Sequence, residues 1–80
     1  MYYVYILLCK DKSLYTGITT NVGRRLVEHK NGKGGHYTRS HGALKIVYQE
    51  RKKNRSTASK REAQIKKLDR EQKLSLISGV

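Results

Sequence analysis

The stretch from Tyr2 to Gly17 reads YYVYILLCKDKSLYTG, and its pattern decides the fold. Residues 2–8 are rich in aromatic and branched apolar side chains, and a polar cluster separates them from a second segment at residues 14–19. Two such segments joined by a few polar residues are typical of a β-hairpin. Because side chains alternate between the two faces of a strand, Tyr5 and Tyr15 are expected to share one face.

Downstream of the hairpin, the sequence predicts one further strand and three helices. The elements are a helix capped by Asn21 that runs to about Lys30, a mobile loop over residues 31–42, a third strand over residues 44–49, a helix from Ser56 or Thr57 to Leu68, and a last helix from Asp69 to Gly79. Caps, glycines and apolar spacing set these limits. We therefore expect one α+β domain over residues 1–80, a three-stranded antiparallel sheet flanked by about three helices.

Three polar residues are predicted to point toward the sheet. Helical spacing of three and four carries Arg25 and His29 inward beside Leu26, and it places Glu62 on the same stripe as Ala58. An inward glutamate is costly unless it is paired or bound to a cation, and Arg25 would be a sufficient partner without any function. A salt bridge and a functional site both explain the pattern.

The composition favours a polyanionic partner. Eighteen Lys and Arg face six Asp and Glu, for a net charge of +12, so nucleic acid is the leading candidate. An anionic membrane surface is the weaker alternative, because the basic segments have few bulky apolar residues opposite them.

Cys9 is the only cysteine, which excludes an intrachain disulfide and suits a reducing cytoplasm. The apolar run at residues 4–8 is too short for a signal peptide or a membrane span.

Candidate nucleic-acid contacts lie in the predicted loop and in the basic segment that follows the third strand. They are Lys33, His36, Arg39, Arg51, Lys52, Lys53, Arg55, Lys60 and Arg61. Such side chains can follow phosphates by charge, which positions a nucleic acid without reading its sequence. No helix-turn-helix or zinc-finger pattern is present in the sequence, so we expect low sequence specificity unless a protein partner or dimerisation adds it.

Two tripeptides and the residues after them resemble the signature of the GIY-YIG nucleases. The matching residues are Tyr3-Val4-Tyr5, Tyr15-Thr16-Gly17, Asn21, Arg25-Leu26, His29 and Glu62. The resemblance covers nearly the whole chain and is nearest to the small stand-alone bacterial members of that family. Tyr3 stands where the family name has its first glycine. The late asparagine that contacts phosphate in many members has no counterpart, since Asn54 precedes the glutamate.

The resemblance implies a GIY-YIG endonuclease-like fold and metal-dependent hydrolysis of nucleic-acid phosphodiester bonds, with DNA favoured over RNA. It makes Glu62 the ligand of one divalent metal, Mg²⁺ or Mn²⁺. It also implies that Arg25 stabilises the negative charge that develops on the phosphate. Tyr5 is the expected general base, either relaying its proton to Tyr15 or positioned by it, and the sequence leaves the division of roles between the two tyrosines open. His29 either contacts phosphate or bonds a tyrosine hydroxyl at the core edge.

An alternative to catalysis is a nucleic-acid-binding module, or an accessory subunit, that keeps the fold but has little activity. Binding alone would account for the charge and would survive loss of Glu62, whereas cleavage would not. The protein is expected to act as a monomer or a weak dimer.

Overall fold

A computed structural model describes residues 1–79 as an antiparallel sheet with helices on both faces. The strands are β1 (Tyr2–Cys9), β2 (Leu14–Thr19) and β3 (Ala43–Lys52). The helices are α1 (Val22–Lys30), α2 (His36–His41), α3 (Arg55–Lys66) and α4 (Arg70–Ser78). The strand order is β2-β1-β3, so the first strand of the chain is the central one. The predicted α+β class and the antiparallel three-stranded sheet are confirmed.

The hairpin register brings the two tyrosines together, as predicted. Tyr5 lies opposite Gly17, and Leu7 lies opposite Tyr15. Tyr5 and Tyr15 are therefore diagonal neighbours on one face of the sheet, and their ring centroids are 6.4 Å apart.

The two faces of the central strand carry two separate apolar clusters. Val4 and Ile6 are fully buried against Ala58 and Ile65 of α3. The alternate residues Tyr5, Leu7 and Cys9 pack on the opposite face, with Ala43 and with Leu26 of α1. Burial of each large aliphatic side chain stabilises the fold by about 1.5–3 kcal/mol. Both faces of β1 are thus covered by helices.

Side-chain caps fix the helix limits. The Asn21 carboxamide accepts a hydrogen bond from the Arg24 amide at the start of α1. A reciprocal capping box joins Asp69 and Gln72 at the start of α4, and Gly79 ends that helix at φ 78°. Both helices begin and end where the sequence predicts.

The predicted limits of α3 and β3 were wrong by a few residues. Asn54 caps α3 through a box with Thr57, so the helix starts at Arg55, before Ser56, and it ends at Lys66 instead of Leu68. The third strand extends on both sides of the predicted residues 44–49, because β1 offers pairing partners as far as Tyr2.

The predicted mobile loop over residues 31–42 contains a fourth helix, α2. Its Thr38 is buried and bonds His29, so a tertiary contact holds the segment in place. Gly35 at φ 119° and Gly42 at φ 78° allow the sharp entry and exit. A six-residue helix is too short to give a periodic apolar pattern, which explains why the sequence did not predict it.

Candidate active site

A buried chain of polar side chains lies at the centre of the site. Tyr5 is only 1% exposed, and its phenolic oxygen lies 2.8 Å from Nε2 of His29. The other ring nitrogen of His29, Nδ1, lies 2.8 Å from Oγ1 of Thr38. The predicted bond between His29 and a tyrosine hydroxyl is therefore present in the structure. Thr38 of helix α2 forms the last member of this chain of side chains.

Two glycines leave the space that this chain needs. A Cβ atom at Gly17 would lie 2.6 Å from the Tyr5 oxygen, and one at Gly34 would lie 1.9 Å from Nδ1 of His29. Both distances are far below van der Waals contact, so larger residues would displace the rings. The third position of the Tyr15-Thr16-Gly17 motif thus serves to let the Tyr5 phenol pass beneath the edge strand.

Tyr15 lies at the opening of the site. Its ring contacts Tyr5 and lies edge-on to His29, with ring centroids 5.4 Å apart in the second pair. It also contacts Tyr37 of α2 at 5.5 Å. Tyr15 is half-buried whereas Tyr5 is closed off from solvent, so Tyr15 is the more accessible of the two tyrosines.

Arg25 is held beside the two tyrosines by its own helix and by the following loop. Its guanidinium donates to Oε1 of Glu28 at 3.1 Å and to the Gly34 carbonyl at 3.2 Å. Glu28 is itself half-buried. The structural alternative raised by the sequence, a salt bridge between Arg25 and Glu62, does not form.

Burial is the largest influence on the pKa values of Tyr5 and His29. It raises the pKa of Tyr5 to about 12, against the opposing effect of the Arg25 guanidinium, while the charge of Glu62 adds to the rise. Burial also lowers the pKa of His29, and Arg25 acts in the same direction. Near pH 7 the phenol therefore keeps its proton and the imidazole is neutral, so the pair forms a hydrogen bond without net charge.

Glu62 lies on α3, the helix that packs on the face of the sheet opposite to Tyr5. It follows Ala58 by one turn on α3, and its side chain is 23% exposed. Its carboxylate pairs with Lys66 at 3.5 Å, a contact along one helix that exchanges readily with solvent. Glu62 is thus half-buried, and its charge acts on the pKa of Tyr5 after the larger effects of burial, Arg25 and Tyr15.

The donor set restricts which metal the site could hold. Within residues 1–79, no group of three or more His, Cys, Asp or Glu side chains is arranged to hold a metal ion. A cage for Zn²⁺ or Ca²⁺ needs such a group. Mg²⁺ keeps several of its waters and can be bound through one carboxylate plus substrate oxygens, so an accessible Glu62 fits that ion.

The basic residues predicted to contact nucleic acid separate into two groups. Arg61 and Lys52 are engaged by Glu50, at 2.9 Å and 3.3 Å, and Tyr48 bonds the same carboxylate. The other seven predicted positions are exposed: Lys33, His36, Arg39, Arg51, Lys53, Arg55 and Lys60. Arg55 also lines a groove of about 290 Å³ that Arg24 and Arg25 border from α1. Three arginines from two helices therefore face one cleft.

Sequence reasoning did not identify several residues of the site. Thr38, Gly34 and Tyr37 lie in the segment predicted as a loop. A glycine pair followed by a small helix could have signalled close backbone approach to His29. No local pattern indicates that Tyr37 packs on Tyr15.

Comparison with known proteins agrees with this geometry. A family model described as the GIY-YIG catalytic domain matches residues 1–75. The chain belongs to the GIY-YIG family. It is thus a member of a nuclease-type family, in which divalent metals and nucleic acids are the general cofactors and partners. The resemblance drawn from the two tripeptides is confirmed.

Relatives of this GIY-YIG domain are UPF0213 proteins. It is 56% identical over 79 residues to one from Clostridium perfringens, which covers 99% of this chain and 85% of that protein. It is 50% identical over 76 residues to one from Staphylococcus haemolyticus, covering 95% and 93%. The solution NMR structure of a UPF0213 protein from Bacillus halodurans matches with a TM-score of 0.61 and 44% identity, over 98% of this chain and 84% of that one. The described part of this domain has no helix long and apolar enough to cross a membrane.

Proposed function

We propose that this GIY-YIG domain hydrolyses phosphodiester bonds in nucleic acid, DNA in the first place, with water as the nucleophile and a divalent metal as the cofactor. The observation that supports the proposal is the convergence of three elements on Tyr5. The Tyr15 ring of β2 lies 6.4 Å from it between centroids, and the charges of Arg25 from α1 and Glu62 from α3 both act on its pKa. In a domain with so little core, polar and charged groups gathered around one buried tyrosine are better explained by chemistry than by packing.

Tyr15 is the general base in this proposal, in place of the Tyr5 that the sequence favoured. A base has to reach the proton it removes, and Tyr5 is enclosed, bonded to His29 and raised in pKa to about 12. Tyr15 is open to solvent on one side. Tyr5 and His29 then act as positioning residues, because their rings form the wall against which Tyr15 packs.

Arg25 is suited to the charge that develops on the phosphate. Its guanidinium is oriented by Glu28 and by the Gly34 carbonyl, so little reorganisation is needed when the substrate binds. Arg24 and Arg55 border the same groove and extend the positive surface along a bound strand. Planar forked donors match phosphate oxygens two at a time, which favours arginine over lysine here.

Glu62 would hold the metal, with water and substrate oxygens as the other ligands. When bound, the metal supplies Lewis-acid polarisation of the phosphate and charge stabilisation at the leaving oxygen. Lys66 neutralises the Glu62 carboxylate when no cation is bound, which lowers the cost of keeping it half-buried.

The exposed cations give binding without sequence reading. Lys33, Arg39, Arg51, Lys53 and Lys60 are all exposed. Contacts of this kind weaken as salt rises, since each neutralised phosphate releases counterions. We therefore propose low sequence specificity and strong salt dependence.

The test incubates the purified protein with labelled single-stranded, duplex and branched DNA and with RNA, in Mg²⁺ or Mn²⁺. Glu62→Gln should abolish cutting while binding persists, and Glu71→Gln, an exposed carboxylate on α4, should cut like the unaltered protein. Tight binding with no cutting of any substrate would reject hydrolysis in favour of a binding module. Equal cutting by the Glu62→Gln variant would reject the assigned metal ligand.

A further inference from the structure

An aromatic stack extends from the site toward the hairpin end of the sheet. Tyr37 of α2 lies against Tyr15 on one side, with ring centroids 5.5 Å apart. It also stacks on His41, with centroids 4.1 Å apart and planes inclined by 25°. Despite these contacts Tyr37 stays 39% exposed. Part of the Tyr37 ring is therefore open to a ligand.

The stack is fixed in place from the hairpin turn. Asp11 pairs with His41, and Ser13 donates to the same carboxylate through both its amide and its hydroxyl. The backbone amide of Lys10 donates to the Gly42 carbonyl at 2.7 Å, directly after α2. Turn and helix are therefore tied together, and Tyr37 is held as a rigid surface.

Tyr37 forms one wall of a groove that two cations border. The groove measures about 220 Å³, and Ser13, Leu14, Arg70 and Lys73 line the rest of it. Neither Arg70 nor Lys73 forms an ion pair with any residue in the range 1–79. The volume is below the roughly 300–1,000 Å³ of pockets for drug-sized ligands. An aromatic wall beside two uncompensated cations matches the chemistry of a single nucleotide, a flat base with an anionic phosphate.

We propose that this groove is a nucleotide subsite. The base of a nucleotide next to the scissile phosphate packs on the exposed part of Tyr37, and its own phosphate lies against Arg70 and Lys73. The location beside the scissile bond rests on the proposed function, because Tyr15 joins the two sites. A base inside a duplex offers no open face, so the occupant is a nucleotide whose base is out of the stack.

The test measures binding without added metal, so that cutting cannot interfere. The probes are a fluorescent single-stranded oligonucleotide in DNA and RNA forms, the blunt duplex of the same sequence, and free dAMP. Tyr37→Leu should weaken single-strand binding about 5- to 100-fold, the loss expected for one base stack. Tyr37→Phe should bind within twofold of the unaltered protein, at about the precision of such a titration. Duplex binding should be the same in all three proteins.

The cations are tested in parallel. Arg70→Ala with Lys73→Ala should weaken single-strand binding more than Lys30→Ala with Lys45→Ala, which removes the same charge from exposed positions outside the groove. Equal losses of binding in the two double variants would overturn the subsite, because the loss would then depend on the total charge removed and not on where the two cations lie. The melting temperature of each variant shows whether its fold is intact. If Tyr37→Leu does not fold, the unaltered protein is titrated with an oligonucleotide that contains 2-aminopurine. The fluorescence of 2-aminopurine should fall on binding, because stacking on a tyrosine quenches it.

The outcomes separate this proposal from hydrolysis. Unchanged single-strand binding by a folded Tyr37→Leu variant, or an unquenched 2-aminopurine, overturns the subsite and leaves cutting untouched. A Tyr37-dependent loss of binding in a protein that cuts nothing supports the subsite and rejects hydrolysis. Binding of free dAMP as tightly as of the oligonucleotide would assign the groove to a mononucleotide and overturn its role on a nucleic-acid strand.

Discussion

The phenolic oxygen of Tyr5 and Nε2 of His29 lie 2.8 Å apart in the interior of the domain, between β1 and α1. Neither group touches bulk water, so each is the main hydrogen-bonding partner of the other. Burial keeps both uncharged near pH 7, by raising one pKa and lowering the other. Such a neutral pair is stable only while the imidazole stays unprotonated.

Acid should therefore loosen the fold through His29. Its pKa is lowered by folding, so the unfolded chain binds more protons and stability rises with pH. The contribution is fully present above about pH 6.5, the unfolded pKa, and is lost as pH falls through the lower folded value. We expect urea midpoints to fall between pH 7.5 and pH 5, and to fall less in His29→Gln. An equal fall in both proteins would contradict this assignment.

Gly17→Ala should disrupt the site. The new Cβ would lie 2.6 Å from the Tyr5 oxygen and 3.2 Å from Cε2 of Tyr15, so both rings would have to move. We expect a loss of about 1–3 kcal/mol in stability and a loss of cutting. Gly23→Ala is the matched control, because its Cβ meets only Asn21 at 3.6 Å on a helix and should stabilise by about 0.5–1 kcal/mol. Thermal unfolding and cleavage rates check both, and a tolerated Gly17→Ala would show that Tyr5 can shift freely.

The two tyrosines should respond differently to loss of the hydroxyl. Tyr15→Phe removes the proposed base and should slow cutting about 100- to 10,000-fold. Tyr5→Phe leaves Nε2 of His29 without its partner, so it should cost about 1–3 kcal/mol of stability and reduce cutting by roughly tenfold or less. A larger rate loss in Tyr5→Phe, with its fold intact, would return the base to Tyr5.

Glu50→Gln should destabilise the contact between β3 and α3. Burial raises the pKa of Glu50, but hydrogen bonds from Arg61, Tyr48 and Lys52 outweigh it, and the net pKa lies below its ordinary value. This stabilisation is present above the unfolded pKa of about 4.3 and is lost as pH falls through the folded value. We expect Glu50→Gln to lose about 1–3 kcal/mol at pH 7 and much less at pH 3. A pH-independent difference in urea unfolding would rule out the ionised carboxylate as the cause.

Local signals predicted the parts of the fold that local contacts determine. The hairpin follows from its alternating apolar residues, and α1 and α4 from caps such as Asn21 and Asp69, because those interactions span only a few residues. Helix α2 was missed because a contact between Thr38 and His29 stabilises it. The pairing of Arg25 with Glu28 was missed as well, since the sequence offered only Glu62 as a partner.

The site residues divide along the same line. Strand alternation placed Tyr5 and Tyr15 on one face, and helical spacing turned Arg25 and Glu62 inward. The relative accessibility of Tyr5 and Tyr15 could not be predicted from the sequence. It depends on the packing of Thr38 in α2 against His29, which in turn contacts Tyr5. The engagement of Arg61 by Glu50 was equally hidden, since it joins β3 to α3.

The strand order β2-β1-β3 puts the N-terminal member of these three strands in the middle of the sheet. During synthesis the hairpin can pair early, and it already carries Tyr5 and Tyr15. Glu62 arrives only after β3 has been made and α3 has docked on the far side. A stalled or proteolytically shortened chain that stops before α3 therefore lacks Glu62 and cannot complete the proposed site with Tyr5, Tyr15 and Arg25. Assembly of the site therefore requires that α3 has been synthesised and has packed against the sheet.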